Sequence, residues 1–367
     1  MIAIRVFVGV LALAGISAVV GSVLRTIVLP RAASALLPRA TFLSVRELLL
    51  LRLRLTGRSD YRTRDRVFAW QAPLGVFAQL FAWALLLFLG FAALFWSVSA
   101  SRVDGRSVAR ALEQSGSSML TLGFDTPSGL GRQLLAVAAA GVGLTLFALI
   151  IAYLPTLYGA FSRREALPTQ LAVQTGVPPS GAALLSSTWR LGRLDQLSEV
   201  WEAWEGWFID VGQSHTTFPQ LAFFRCPEPQ NHWVLASEAV LDGIALFTTV
   251  CDLPRQSRSE LCLDAGVHAL TAIADFYPVL RRSLEADAQI TLPEEKFDRA
   301  RRELEHLGVP VRKDRSRSWS DFRRMRARYE PQLTVLGGIT DAPRSEWSPW
   351  PDVMPPHVSP LSRASRG

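Results

Sequence analysis

The hydrophobic positions of this chain fall in long unbroken runs up to about residue 160 and in short periodic clusters after it. Three runs dominate, over residues 6–24, 72–98 and 134–157. Each has close to or more than the roughly 20 apolar residues that carry a helix across about 30 Å of hydrocarbon, so three membrane-spanning helices are predicted. The first is 19 residues long, beyond the roughly 7 to 15 of a signal peptide's apolar core, and the following "RTIVLPRAAS" offers no good small-residue cleavage site. It reads as a retained anchor.

Between the first two runs lies "SVRELLLLRLRLTGR", residues 44–58, with Arg46, Arg52 and Arg54 interspersed among leucines. As a helix it suits the headgroup boundary beside anionic lipid. It lacks the arginine at every third position of a spanning voltage sensor.

After the third run the pattern changes to amphipathic helices. Leu197, Trp201, Trp204 and Phe208 recur at steps of four, three and four, a core-facing aromatic stripe, with Glu199, Glu202 and Glu205 on other faces. Further helices are expected over 233–250, 259–285 and 293–307, the last opening with Pro293 and acidic residues. Alternating strand patterns are missing from the sequence. Residues 341–367 are rich in Pro and Ser without periodicity and read as a disordered tail. The fold class is therefore an all-α membrane protein, with an N-terminal transmembrane helix (1–30), a basic interfacial loop (31–71), a transmembrane region (72–165), a helical soluble domain (166–340) and the tail.

Charge adds orientation. Residues 31–66 hold nine arginines against Glu47, Asp60 and Asp65, whereas 99–131 balance Arg102, Arg106 and Arg110 with Asp104, Glu113 and Asp125. The positive-inside rule puts the first loop in the cytoplasm, hence a multi-pass protein of the cell membrane with its N-terminus outside and everything after Arg163 and Arg164 inside. The net charge of +7 comes almost wholly from arginine, since Lys296 and Lys313 are the only lysines; this fits a GC-rich genome and implies no nucleic-acid partner.

Cys226, Cys251 and Cys262 have no zinc-type spacing and read as reduced, buried thiols. No phosphate loop, dinucleotide fingerprint or nucleophile elbow is present. The five histidines are scattered, and "SHTTFP" (214–219) reads as a helix-ending turn rather than a catalytic group. No enzyme, cofactor or metal is expected. The arginine-rich "RSRSWSDFRRMRAR" reads as a solvated helix or a lipid-headgroup contact.

The chemistry concentrates in "SGSSMLTLGFDTPSG", residues 115–129, between the second and third runs. Residues 107–119 form a predicted helix capped by Ser107, with Val108, Ala111, Leu112 and Ser115 on one face. It is too short to span. A short helix that dips into a membrane, followed by non-helical backbone, is tolerated only where protein or a water-filled cavity surrounds it. A cation filter needs a chain whose carbonyls and a hydroxyl replace the ion's water, and glycine permits the left-handed φ such a turn demands.

Residues 72–165 resemble the pore unit of cation channels of the potassium-channel superfamily: outer helix, short pore helix at 107–119, "TLGFD" at Thr121, Leu122, Gly123, Phe124 and Asp125, then an inner helix. The resemblance implies that Thr121 supplies the innermost hydroxyl, that Leu122 packs where the family has valine, that Gly123 turns the chain, and that Phe124 wedges against the pore helix. Asp125 stands where the family has its second filter glycine, which puts carboxylates at the outer mouth. Gly141, Gly143 and Pro155 of the inner helix are the implied gating hinges. The expectation is passage of monovalent cations through a homotetramer embedded in membrane lipid, controlled by the soluble domain; the alternative is a non-conducting membrane-anchored signalling or scaffold protein that retains the pore fold.

Overall fold

The structure is a computed structural model, and it describes residues 2–29, 36–57, 60–99, 105–192, 196–277 and 292–350. Among these residues every regular element is helical, apart from an isolated antiparallel bridge between Cys251 and Val311. Three helical stretches are long and apolar enough to cross a membrane: Ile2–Ile27, Tyr61–Ser97 and Leu130–Thr175. The chain divides into two compact units, one of residues 1–52 and 70–159, the other of 53–69 and 160–367.

The first unit contains α1 (Ile2–Ile27), most of α2 (Leu36–Thr56), α4 (Gln71–Ser97), α5 (Gly105–Met119) and the first part of α6 (Leu130–Thr175). Helix α4 is its hub, packing against α1 and α5. Trp83 donates from Nε1 to Ser22 Oγ at 3.2 Å, and Thr41 donates to Gln79 Oε1 at 2.6 Å. Such small-residue and hydroxyl contacts are what hold helices together in hydrocarbon, where apolar burial drives nothing. Helix α2 is longer at its start than the expected 44–58, because Pro38 is tolerated in a first turn, and Gly57 with φ of +62° ends it.

The second unit is built around α9 (Trp233–Thr249), in which every residue but Thr248 is buried. It is apolar on nearly all sides, which marks a helix enclosed by others. Around it lie α7 (Gly181–Arg190), α10 (Ser257–Ala274), α12 (Arg315–Arg326) and α13 (Glu330–Thr340); α8 (Leu197–Thr217) packs on α10, and α11 (Glu294–His306) on α7. The stripe of Leu197, Trp201, Trp204 and Phe208 is core, as its spacing predicts. Side-chain caps start α3 (Tyr61–Phe68) at Asp60, α7 at Ser180 and α12 at Asp314.

Three expectations change. The helix predicted over 259–285 runs from Ser257 to Ala274, and residues 278–291 lie outside the described ones. Residues 341–350, expected in the tail, are packed: Trp350 is buried against Gly337, and its Nε1 donates to the Ala342 carbonyl at 3.1 Å. Two indoles, Trp347 and Trp350, give this Pro/Ser-rich stretch enough apolar surface to dock. Residues 351–367 lie outside the described residues. Third, α7 and α13 were not anticipated; α13 holds Thr334, Val335, Gly337 and Gly338, weak helix formers whose helix is sustained by burial.

Candidate functional site

Helix α5 begins at Gly105, so Ser107 lies within its first turn and is buried there rather than at the cap. Its buried stripe is Ser107, Ala111, Gln114, Ser115 and Ser118; of the four residues expected to share a face, Ala111 and Ser115 are buried and Val108 is 48% exposed. Small and hydroxyl side chains take the packed face because they let backbones approach and find carbonyl acceptors. Ser115 is fully buried and donates to the Phe88 carbonyl of α4 at 2.7 Å. Arg132 Nη2 donates to Gln114 Oε1 at 2.8 Å, tying the start of α6 to α5.

At its other end α5 abuts α6. A β-carbon on Gly143 would collide with the Met119 carbonyl, whereas one on Gly141 would meet nothing. Gly143 is thirteen residues after Leu130, the first of α6, about 20 Å along the helix at 1.5 Å per residue. Phe88 is nine residues before Ser97, the last of α4, about 14 Å by the same measure. The C-terminal end of α5 therefore stands beside the interior of two apolar helices, away from their ends. Pro155 is exposed, within the unbroken α6.

The expected filter residues follow at once. Thr121 has φ of +55°, its N–H donates to the Ser118 carbonyl at 3.0 Å, and the Leu122 N–H donates to the Ser117 carbonyl at 2.9 Å. This pair of bonds is a Schellman cap, whose left-handed residue is ordinarily glycine; a β-branched Thr there is strained. Gly123 takes φ of +71° without cost. Thr121, Leu122, Gly123 and Phe124 are all exposed in the single chain, Leu122 at 61% and Phe124 at 64%. Asp125 is half-buried, and its backbone N–H and carbonyl both bond the Ser117 hydroxyl, at 3.0 and 3.1 Å. Ser117, which sequence reasoning passed over, is the residue that holds this turn; its only sequence signal is the hydroxyl run "SGSS" before the loop.

In the second unit, the strip of residues 219–226 is held to α6 and α3 by two arginines. Arg164, on the later part of α6, is 1% exposed and donates to the carbonyls of Leu221 and Phe224, both at 2.7 Å. Its guanidinium also lies over Phe161 and Trp233. His215 Nε2 faces Arg164 Nη1 at 3.2 Å and its Nδ1 faces the Val211 carbonyl at 2.9 Å, which assigns the proton to Nδ1. Burial, and then the Arg164 charge, push the His215 pKa well down, so the ring is neutral. One residue beyond Phe224, Arg225 pairs with Asp65 of α3 at 2.5 Å, donates to the Thr340 carbonyl at 2.7 Å and stacks on Phe68. Arg64 of α3 pairs with Asp341.

Cys251 and Cys262 are buried, as the sequence led one to expect, while Cys226 is half-buried; all three are free. Burial pushes Cys226 and Cys251 up to about 12, so neither is a thiolate near neutrality. On α12, Arg315 pairs with Glu294 and Asp298 and Arg324 with Asp321, as on a solvated face, but Arg326 of the same expected solvated stretch is fully buried. Among the described residues no group of three His, Cys, Asp or Glu is placed to hold a metal. No family model, curated protein or solved structure matches the chain.

Proposed function

We propose that the chain is a pore-loop membrane protein of the potassium-channel type, in which four copies pass monovalent cations along "TLGFD" and the second unit controls the passage. The observation that carries this reading is the contact of Met119 with Gly143. It sets the C-terminus of a short polar helix, and the turn Thr121–Asp125 after it, exposed from Thr121 to Phe124, beside the interior of apolar helices. Polar backbone at such depth in hydrocarbon needs protein or water around it, and one chain leaves Thr121 to Phe124 uncovered. One segment per chain encloses nothing, so several chains around an axis are required; four is what the resemblance implies. The arginine excess over residues 31–66 supports an outer location for the turn and a cytoplasmic second unit at the cell membrane. Control by the second unit is supported by Arg164 and Arg225, which pin α6 and α3 to one strip of chain.

A second reading is a non-conducting scaffold that keeps the pore fold. The Ser117–Asp125 bonds favour it, because they engage a carbonyl that a filter would aim at an ion. Current across a bilayer holding the purified protein, in potassium and then in sodium, separates the two. Cation current supports the channel; none, from a protein that is tetrameric by light scattering, selects the scaffold. A monomer in mild detergent that retains its fold removes both pore readings.

A further inference from the structure

The core of the second unit holds a charge imbalance that the proposed function leaves unused. Arg326 of α12 is fully buried and is surrounded by three carboxylates. Both Asp242 oxygens accept from its Nη1 at 2.7 Å, Glu330 accepts from its Nε at 2.5 Å, and Glu238 Oε1 stands 3.6 Å from its Nη2, which instead donates to the Trp347 carbonyl at 2.7 Å. Tyr329 donates to Asp242 at 2.7 Å. Three buried acids on one guanidinium exceed it by two charges, and burying unneutralised charge is expensive.

The imbalance is sharpest at Glu238. It is 2% exposed, and among the described residues its Oε1 has no hydrogen-bond partner. Its Oε2 accepts from the hydroxyls of Ser345 and Ser348, at 2.9 and 2.8 Å. Those serines belong to the packed stretch 341–350, whose first residue, Asp341, pairs with Arg64 of α3. The other helices on α9 add no compensating charge: Arg190 of α7 and Glu260, Asp264 and His268 of α10 are exposed, and the half-buried Arg258 of α10 is paired with Glu202 and Glu205 of α8.

We propose that Glu238, with Asp242, Glu330 and Arg326, forms a proton-binding site whose protonated state holds residues 341–350 against the second unit and whose deprotonation releases them. The proton sits on Glu238 Oε1 and leaves to solvent as pH rises. Burial and then the Asp242 charge push the Glu238 carboxyl up to about 7, in the range where cellular pH varies. With the folded pKa above the unfolded one, the folded state holds the extra proton between about 4.5 and 7, and stability falls as pH rises across that window. Released residues 341–350 free Asp341 from Arg64 and so loosen α3, which immediately precedes α4 in the chain. That last consequence for the pore rests on the channel reading; the proton site does not.

Amide hydrogen exchange of the 341–350 peptide in the full-length protein, in mild detergent from pH 5.5 to 8.5 and corrected for intrinsic rates, tests it. Protection is expected at low pH and lost through a midpoint near neutrality. Glu238→Gln, which cannot ionise, should keep the stretch protected at every pH. Ser348→Ala removes a hydroxyl that favours the ionised carboxylate, so its midpoint should move upward. Wild-type protection independent of pH overturns the proposal, as does a Glu238→Gln profile like that of wild type. If that variant does not fold, a Ser348→Ala midpoint that stays put or moves down overturns it. Cation flux is not read, so failure here leaves the channel reading standing.

Discussion

The carbonyl oxygen of Met119 occupies the space that a β-carbon on Gly143 would need, whereas one on Gly141, two residues earlier on the same helix, would meet nothing. The two glycines are alike in sequence and opposite in consequence. Gly143→Ala forces α5 and α6 apart, and overpacking of this kind typically costs about 1–3 kcal/mol. Gly141→Ala meets nothing and gains the usual helix preference over glycine, about 0.5–1 kcal/mol. Thermal unfolding in detergent should show a lowered midpoint for the first and an unchanged or raised one for the second. Equal effects would mean that the α5–α6 contact carries no load.

Thr121 is strained at the Schellman position, where a left-handed non-glycine residue costs about 1–2 kcal/mol. Thr121→Gly should therefore stabilise the chain by up to about 1 kcal/mol while removing the hydroxyl at the head of "TLGFD". If the loop lines an ion path, stability rises as flux falls. A stabilised variant with unaltered cation flux places the path elsewhere.

These cases show where the sequence was readable. The spans, the short helix before "TLGFD" and the aromatic stripe of α8 were legible because each rests on an apolar run or a helical period. Arg164 and Arg326 were not. In a chain whose basic residues are almost all arginine, a fully buried guanidinium looks like the exposed ones around it, and key partners lie far along the chain: the Leu221 and Phe224 carbonyls are 57 and 60 residues from Arg164, and Asp242 is 84 residues from Arg326. Which face of α5 is buried was only partly legible. Of the residues its period put on one face, Ala111 and Ser115 are buried and Val108 is not, because beside α4 the close approach of small and hydroxyl side chains decides the face.

His215 carries a pH dependence of known sign. Its pKa is depressed by burial and by Arg164, so the unfolded chain binds a proton that the folded one refuses. Its contribution is full above the unfolded value of about 6.5 and is lost as pH falls below it, by at most about 1.4 kcal/mol per pH unit. His215→Ala should thus be most destabilising near pH 7.5, and the gap to wild type should narrow on acidification to pH 5.5. Denaturant midpoints measured at the two values check this; a gap that widens on acidification would contradict a neutral ring.

Asp125 brings the geometry and the proposed chemistry to one residue. Its backbone is tied at both N–H and carbonyl to the Ser117 hydroxyl, and its side chain stands where the resembled filters have glycine. Four such carboxylates around an axis would draw cations to the mouth without distinguishing potassium from sodium. Asp125→Asn should then lower cation flux with no change in ion preference, while Asp125→Gly, which frees the backbone, should favour potassium over sodium. Gly123→Ala places a β-carbon at φ of +71°, at a cost of about 1–2 kcal/mol, and should abolish flux. Ser117→Ala separates the two pore readings: releasing the Asp125 carbonyl should raise the flux of a channel whose turn is held back by that bond, and should change nothing in a scaffold. In flux assays on reconstituted vesicles, a measurable wild-type flux that survives Gly123→Ala and Asp125→Asn unchanged would show that "TLGFD" does not line the pathway.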